Sequence, residues 1–130
     1  MANHPSPKPS SKKHVLVVDD DPDNRGSLAM LLAAKGMHVS QCESGKSALA
    51  ELSHFKSIDL IVSDVSMPEM DGVEFAARAK ELRPDIPLLL LTGHDSLVDQ
   101  VIAQGSMALL KPYEPERLLG LVEEMFARAR

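Results

Sequence analysis

An α/β domain, with helices packed on both faces of a parallel sheet, is the fold class that this sequence predicts. Two observations lead there. Short apolar runs alternate five times with segments of helical periodicity, and such an alternation folds through right-handed crossovers into one parallel sheet. The runs also carry few polar residues, as in "HVLVVD" and "IPLLLLT", the pattern of strands buried on both faces.

The first strand is His14 to Asp19. Asp21-Pro22 follows as an N-cap with proline at the first helical position. The helix then runs to about Lys35, with Leu28, Leu31 and Leu32 at helical spacing and Gly36 as the stop signal. Met37 to Gln41 is a second, shorter strand, and Ser44 to about Phe55 a helix that turns Ala48, Leu49 and Leu52 inward. Ile58 to Asp64 is the third strand. After the turn-rich "VSMPEMDG", Val73 to Leu82 is helical. Ile86 to Thr92 is the fourth strand, Ser96 to Gln104 a helix, and Met107 to Leu110 a short fifth strand. Pro115 to Arg128 closes the domain as an amphipathic helix. No repeat longer than this rhythm and no internal linker is visible, so residues 14–130 form one domain.

Composition narrows the function classes. Aromatic residues make up 3% of the 130 residues and Trp is absent, so the core is built from Leu, Val, Ile, Met and Ala, and base stacking on aromatic rings is implausible. The formal net charge of -5 is opposite to the basic footprint of a nucleic-acid binder. One cysteine, Cys42, excludes an intramolecular disulfide and a four-cysteine zinc site. Residues 1–13 are rich in Pro, Ser and Lys and lack an apolar stretch. They are expected to be a disordered arm rather than a secretory signal. No apolar run is long enough to span a bilayer, and a soluble, cytoplasmic protein with no membrane partner is expected.

In an open parallel sheet the ligand site lies beyond the carboxyl ends of the strands. There the first strand delivers Asp19, Asp20 and Asp21, the third Asp64, the fourth Thr92, and the fifth Lys111 just past its end. Gathered carboxylates repel one another and call for a counter-charge. Hard oxygen ligands without His or Cys suit Mg2+. A carboxylate beside such a cation can attack a phosphoryl group, while a hydroxyl and an ammonium hold its other oxygens. Phosphoryl transfer onto Asp64 is the reaction this implies. Singly, each residue has a plainer reading: Asp21 as a helix cap, Thr92 as a turn residue, Lys111 as a solvated surface lysine. Their coincidence at one sheet edge favours a site.

Four strings, "VLVVDDDPDNR", "DLIVSDVSMPEMDG", "PLLLLTGHD" and "LLKPY", in this order resemble the receiver domains of two-component response regulators from about His14 to Arg128. The resemblance implies a flavodoxin-like doubly wound five-stranded sheet of order 2-1-3-4-5, (βα)5 in all. It implies that Asp64 is the phosphoacceptor, phosphorylated by a histidine kinase or histidine phosphotransfer protein. Asp19, Asp20, Asp64 and the backbone carbonyl of Ser66 would hold Mg2+, Thr92 and Lys111 would bind phosphoryl oxygens, and Lys111-Pro112 would be cis. A downstream protein would dock on the face made by the fourth helix, fifth strand and last helix, with the chain a monomer or weak homodimer. Catalysis would be limited to the domain's own phosphorylation and dephosphorylation.

Departures from the family pattern accompany the match. Ala108 stands where the family carries an aromatic residue three positions before the lysine, and the stretch from Gly105 to Lys111 is one residue shorter than usual. The aromatic readout cannot operate through an alanine. Ser66 and His94 occupy variable positions that tune phosphoryl lifetime, although an exposed loop imidazole without a duty is the simpler reading of His94. Two alternatives stay open. The chain could be the N-terminal receiver of a longer regulator with an output domain. A haloacid-dehalogenase-like phosphatase would share the aspartate, Mg2+, hydroxyl and lysine, but it needs an acid two residues after the nucleophile, where Ser66 stands.

Overall fold

The computed structural model describes residues 12–54 and 57–129. The expected N-terminal arm therefore lies outside the described residues, apart from Lys12 and Lys13, as does the expected helix end at Phe55.

Five strands and five helices alternate: β1 (His14–Val18), α1 (Pro22–Ala33), β2 (His38–Cys42), α2 (Gly45–His54), β3 (Leu60–Asp64), α3 (Gly72–Leu82), β4 (Leu88–Thr92), α4 (Val98–Ala103), β5 (Met107–Leu110) and α5 (Pro115–Arg128). The strands form one parallel sheet of order β2-β1-β3-β4-β5, the doubly wound flavodoxin-like arrangement that the sequence implies.

Side-chain alternation along each strand divides the core into two halves. Leu16, Val18, Ile61 and Leu90 pack with Ala48, Leu52, Phe75 and Ala79 on the side covered by α2 and α3. Val15, Val17, Leu60, Val62 and Leu89 pack with Leu28, Leu32, Leu118 and Val122 on the side covered by α1 and α5. Every residue of β3 and β4 is buried, as central strands must be.

The expected boundaries shift where a particular backbone group decides them. Asp21 caps α1 through its side chain, which accepts from the Asn24 N–H at 3.2 Å, with Pro22 in the first turn. Gly36 ends the following turn at φ +88°. β2 lies one residue later than expected, because His38 rather than Met37 pairs with His14. β4 begins at Leu88 rather than Ile86. Pro87 has no N–H to give, although its carbonyl accepts from Ile61 N at 3.0 Å. The fourth helix departs most: a 3-10 turn at Asp95–Leu97 precedes only six α-helical residues, and no side chain caps either start. Among the described residues, no helix is long and apolar enough to cross a membrane.

Candidate functional site

Four strand ends converge on one cleft. The Asp19 N–H donates to the Cys42 carbonyl at 3.1 Å, so the chain is still held by β2 where the first acid emerges. Asp19 is buried and Asp20 exposed, since consecutive residues leave a strand in opposite directions. Asp64 is the last residue of β3 and Thr92 the last of β4, 7% and 2% exposed. Lys111 follows β5, and its N–H donates to the Thr92 carbonyl at 2.7 Å. The Lys111-Pro112 bond is cis, as the resemblance implies.

One carboxylate oxygen from each of Asp19, Asp20 and Asp64 lies within 4.8 Å of the others. Burial lifts the Asp19 carboxyl above the usual carboxylate range, and the negative charges of Asp64 and Asp20 add to the rise. The hydrogen bond from the Asp21 N–H, 3.0 Å long, and the Lys111 charge oppose it. On the other side of Asp64, Lys111 Nζ donates to Oδ1. The lysine offsets one of the three carboxylates and leaves two without a counter-charge. That residual negative charge, offered only by carboxylate oxygens, fits a hard divalent ion such as Mg2+.

Thr92 Oγ1 accepts from the His94 N–H at 3.0 Å and donates to the His94 carbonyl at 3.5 Å, a bond long enough to be exchanged for a ligand in the cleft. Beside it, a Cβ built at Gly93 would meet nothing within 4 Å, so the approach is open. Ser66 is exposed on the loop two residues beyond Asp64, and His94 is exposed as expected. Ala108 packs against the first core half, with no aromatic ring at that position. The structure thus gathers Asp19, Asp20, Asp64, Thr92 and Lys111 in one place. It shows Asp21 as a helix cap.

Two residues escaped the sequence reading. Arg25, on α1, reaches back to donate from Nη1 to the Asp19 carbonyl at 2.8 Å, fixing the acidic turn from behind. Gly72 starts α3 against the end of β3: its N–H donates to the Val65 carbonyl at 2.7 Å. A Cβ there would stand 2.4 Å from the Asp64 carbonyl oxygen. The "DG" pair that closes the turn was the available signal for Gly72. For Arg25 no local pattern exists.

Comparison with known proteins agrees with this geometry. The profile of the response regulator receiver domain matches residues 15–123. CpdR, a response regulator receiver protein of Brucella abortus, is 33% identical over 120 residues, covering 90% of this chain and 99% of that protein. The transcriptional regulatory protein GlrR of Escherichia coli is 37% identical over 114 residues, 85% of this chain but 26% of GlrR. The chain thus spans about a quarter of the length of the curated regulator it matches there. The chemotaxis response regulator CheY4 of Vibrio cholerae superposes with a TM-score of 0.78 at 34% identity, covering 88% of this chain and 98% of that one.

Proposed function

The chain belongs to the response regulator receiver domain family, and from that premise we propose that it is a phosphorylation switch with Asp64 as its acceptor. One observation carries the reading: the Asp64 carboxylate stands between two further acids within 4.8 Å and the Lys111 ammonium. Asp19, Asp20, Asp64 and the Ser66 carbonyl are the groups that would hold Mg2+, whose charge, when bound, offsets that of the carboxylates and of the incoming phosphoryl oxygens.

The side chains of this chain do the rest. Lys111 engages Asp64 Oδ1, leaving Oδ2 to attack phosphorus. An O–P bond forms on Asp64 as the N–P bond of a donor phosphohistidine breaks, and the proton needed goes to the leaving imidazole. Lys111 and the Thr92 hydroxyl then bind phosphoryl oxygens, contacts that exist only in the modified state and so bias a conformational equilibrium toward it. The donor is a histidine kinase or a histidine phosphotransfer protein. A protein target reads the change on the α4-β5-α5 face, where Leu110 is 42% exposed, and the chain acts as a monomer or weak homodimer in the cytoplasm. Residues 14–130 are the receiver unit and 1–13 an arm outside it. Catalysis stops at the domain's own phosphoryl group.

Acetyl phosphate with Mg2+ is expected to add one phosphoryl group, read as a mass shift. Asp64→Ala and EDTA are each expected to abolish it. A shift that persists in the Asp64→Ala protein removes Asp64 from the role, and one that persists in EDTA removes the metal. A second reading, the receiver of a longer regulator, is favoured by GlrR, of which the matched region is 26%.

A further inference from the structure

The opposite end of the sheet carries a second group of metal-binding side chains, with different chemistry. His14 opens β1 and His38 opens β2, and the two are paired in the parallel register. Register partners project on the same face of a sheet, and here the ring centroids stand 4.4 Å apart at an interplanar angle of 62°. His14 is half-buried and His38 exposed. Five residue steps lead from His14 to Asp19, about 16 Å at the usual rise per residue, so this place is distinct from the acidic cleft.

Each nitrogen of the His14 ring is held by a serine hydroxyl: Nε2 lies 2.7 Å from Ser40 Oγ and Nδ1 3.2 Å from Ser57 Oγ. The His14 N–H donates to Asp59 Oδ2 at 2.9 Å, fixing a carboxylate beside the ring. Burial and the neighbouring His38 favour the neutral imidazole of His14, while Asp59 and Glu51 act against them. Neutral imidazole is the form that ligates metal. A ligating histidine commonly keeps its second nitrogen on a hydrogen-bonded partner, which sets tautomer and ring orientation. Two serines supply that partner here whichever nitrogen is used.

We propose that His14 and His38 form a binding site for a borderline divalent transition metal such as Zn2+, with Asp59 and Glu51 supplying the compensating negative charge. Metal–nitrogen bonds of about 2.0–2.1 Å set at a tetrahedral angle require the two ligating nitrogens about 3.3 Å apart. The ring centroids stand 4.4 Å apart and His38 is exposed, so adjustment to that separation calls on side-chain rotation of His38, which burial does not restrain. Among the described residues, three ligand atoms stand ready together only at Asp19, Asp20 and Asp64. The histidine site is therefore built on two imidazoles, completed by rotation of a carboxylate or by water. Nitrogen donors set its preference: imidazole selects Zn2+ and its neighbours over Mg2+.

The test is calorimetric titration of Zn2+ into the untagged full chain in excess Mg2+, which keeps the acidic cleft saturated. One equivalent is expected to bind, weakening on the order of tenfold or more in His38→Gln, since even loss of an outer partner of a ligand has that effect. His14→Gln should weaken it likewise. His38→Gln alters an exposed ring and keeps the fold, which circular dichroism checks. Asp20→Asn is expected to leave Zn2+ affinity unchanged. Zn2+ binding that is undiminished in His38→Gln, that is lost in Asp20→Asn, or that does not occur at all overturns the proposal.

Discussion

At Gly72 the backbone of α3 meets the backbone of β3 so closely that a methyl group has nowhere to go: its carbon would lie 2.4 Å from the Asp64 carbonyl oxygen and 2.7 Å from Val65 Cα. The neighbours are main-chain atoms, which cannot swing aside. Gly72→Ala is expected to cost about 1–3 kcal/mol by overpacking, read as a lower midpoint in urea denaturation, and to disturb phosphorylation by displacing Asp64. A midpoint equal to that of the parent chain would show that the contact relaxes at no cost. Asp19, Asp20, Asp64, Thr92 and Lys111 were legible in the sequence because each ends an apolar run, and strand ends are where such a sheet keeps its chemistry. Gly72 and Arg25 were not, because one acts by lacking atoms and the other through a bond to a carbonyl six residues away.

Among the elements, those whose ends carry their own chemistry were placed best. α5 spans Pro115–Arg128 as expected, since Pro115 fixes its start and Leu118, Leu121, Val122 and Met125 mark one buried stripe. α3 is capped by Asp71, whose Oδ1 accepts from the Glu74 N–H at 2.9 Å. Asp71→Ala is expected to remove about 1 kcal/mol of stability, measured as a lower thermal midpoint; an unchanged midpoint would mean that water caps the helix equally well. α4 was misjudged in length because its first residues make a 3-10 turn and no side chain fixes its beginning. The one-residue shift of β2 has a similar origin. Its exposure pattern is mixed, so only its pairing with β1, a long-range fact, sets the register.

Over the whole molecule, the sheet separates two apolar half-cores, and cooperativity requires both to open together. Cys42 reports on one of them. It is 7% exposed, and burial raises its thiol above the ordinary range, against a hydrogen bond with the Ser47 side chain. Only the thiolate reacts readily. An aromatic disulfide reagent is therefore expected to label Cys42 slowly in the native protein and at once in denaturant. Labelling as fast as that of a free thiol would show that the α2 side opens independently. The fold class was legible because alternation and burial are local patterns that sum to one topology. The rise of the Asp19 carboxyl was not, because its first cause is how deeply the folded strand end is buried.

The bond from Lys111 N–H to the Thr92 carbonyl, 2.7 Å long, joins the last rung of the β4–β5 ladder to the loop that follows. Thr92 and Lys111 come from segments far apart in the chain, yet their main chains are latched directly to each other. Their side chains can swivel separately, whereas any translation of one peptide hauls the other along. The pair behaves as a short rigid crossbar, and whatever moves it must also pull on Pro112, Tyr113 and the head of α5.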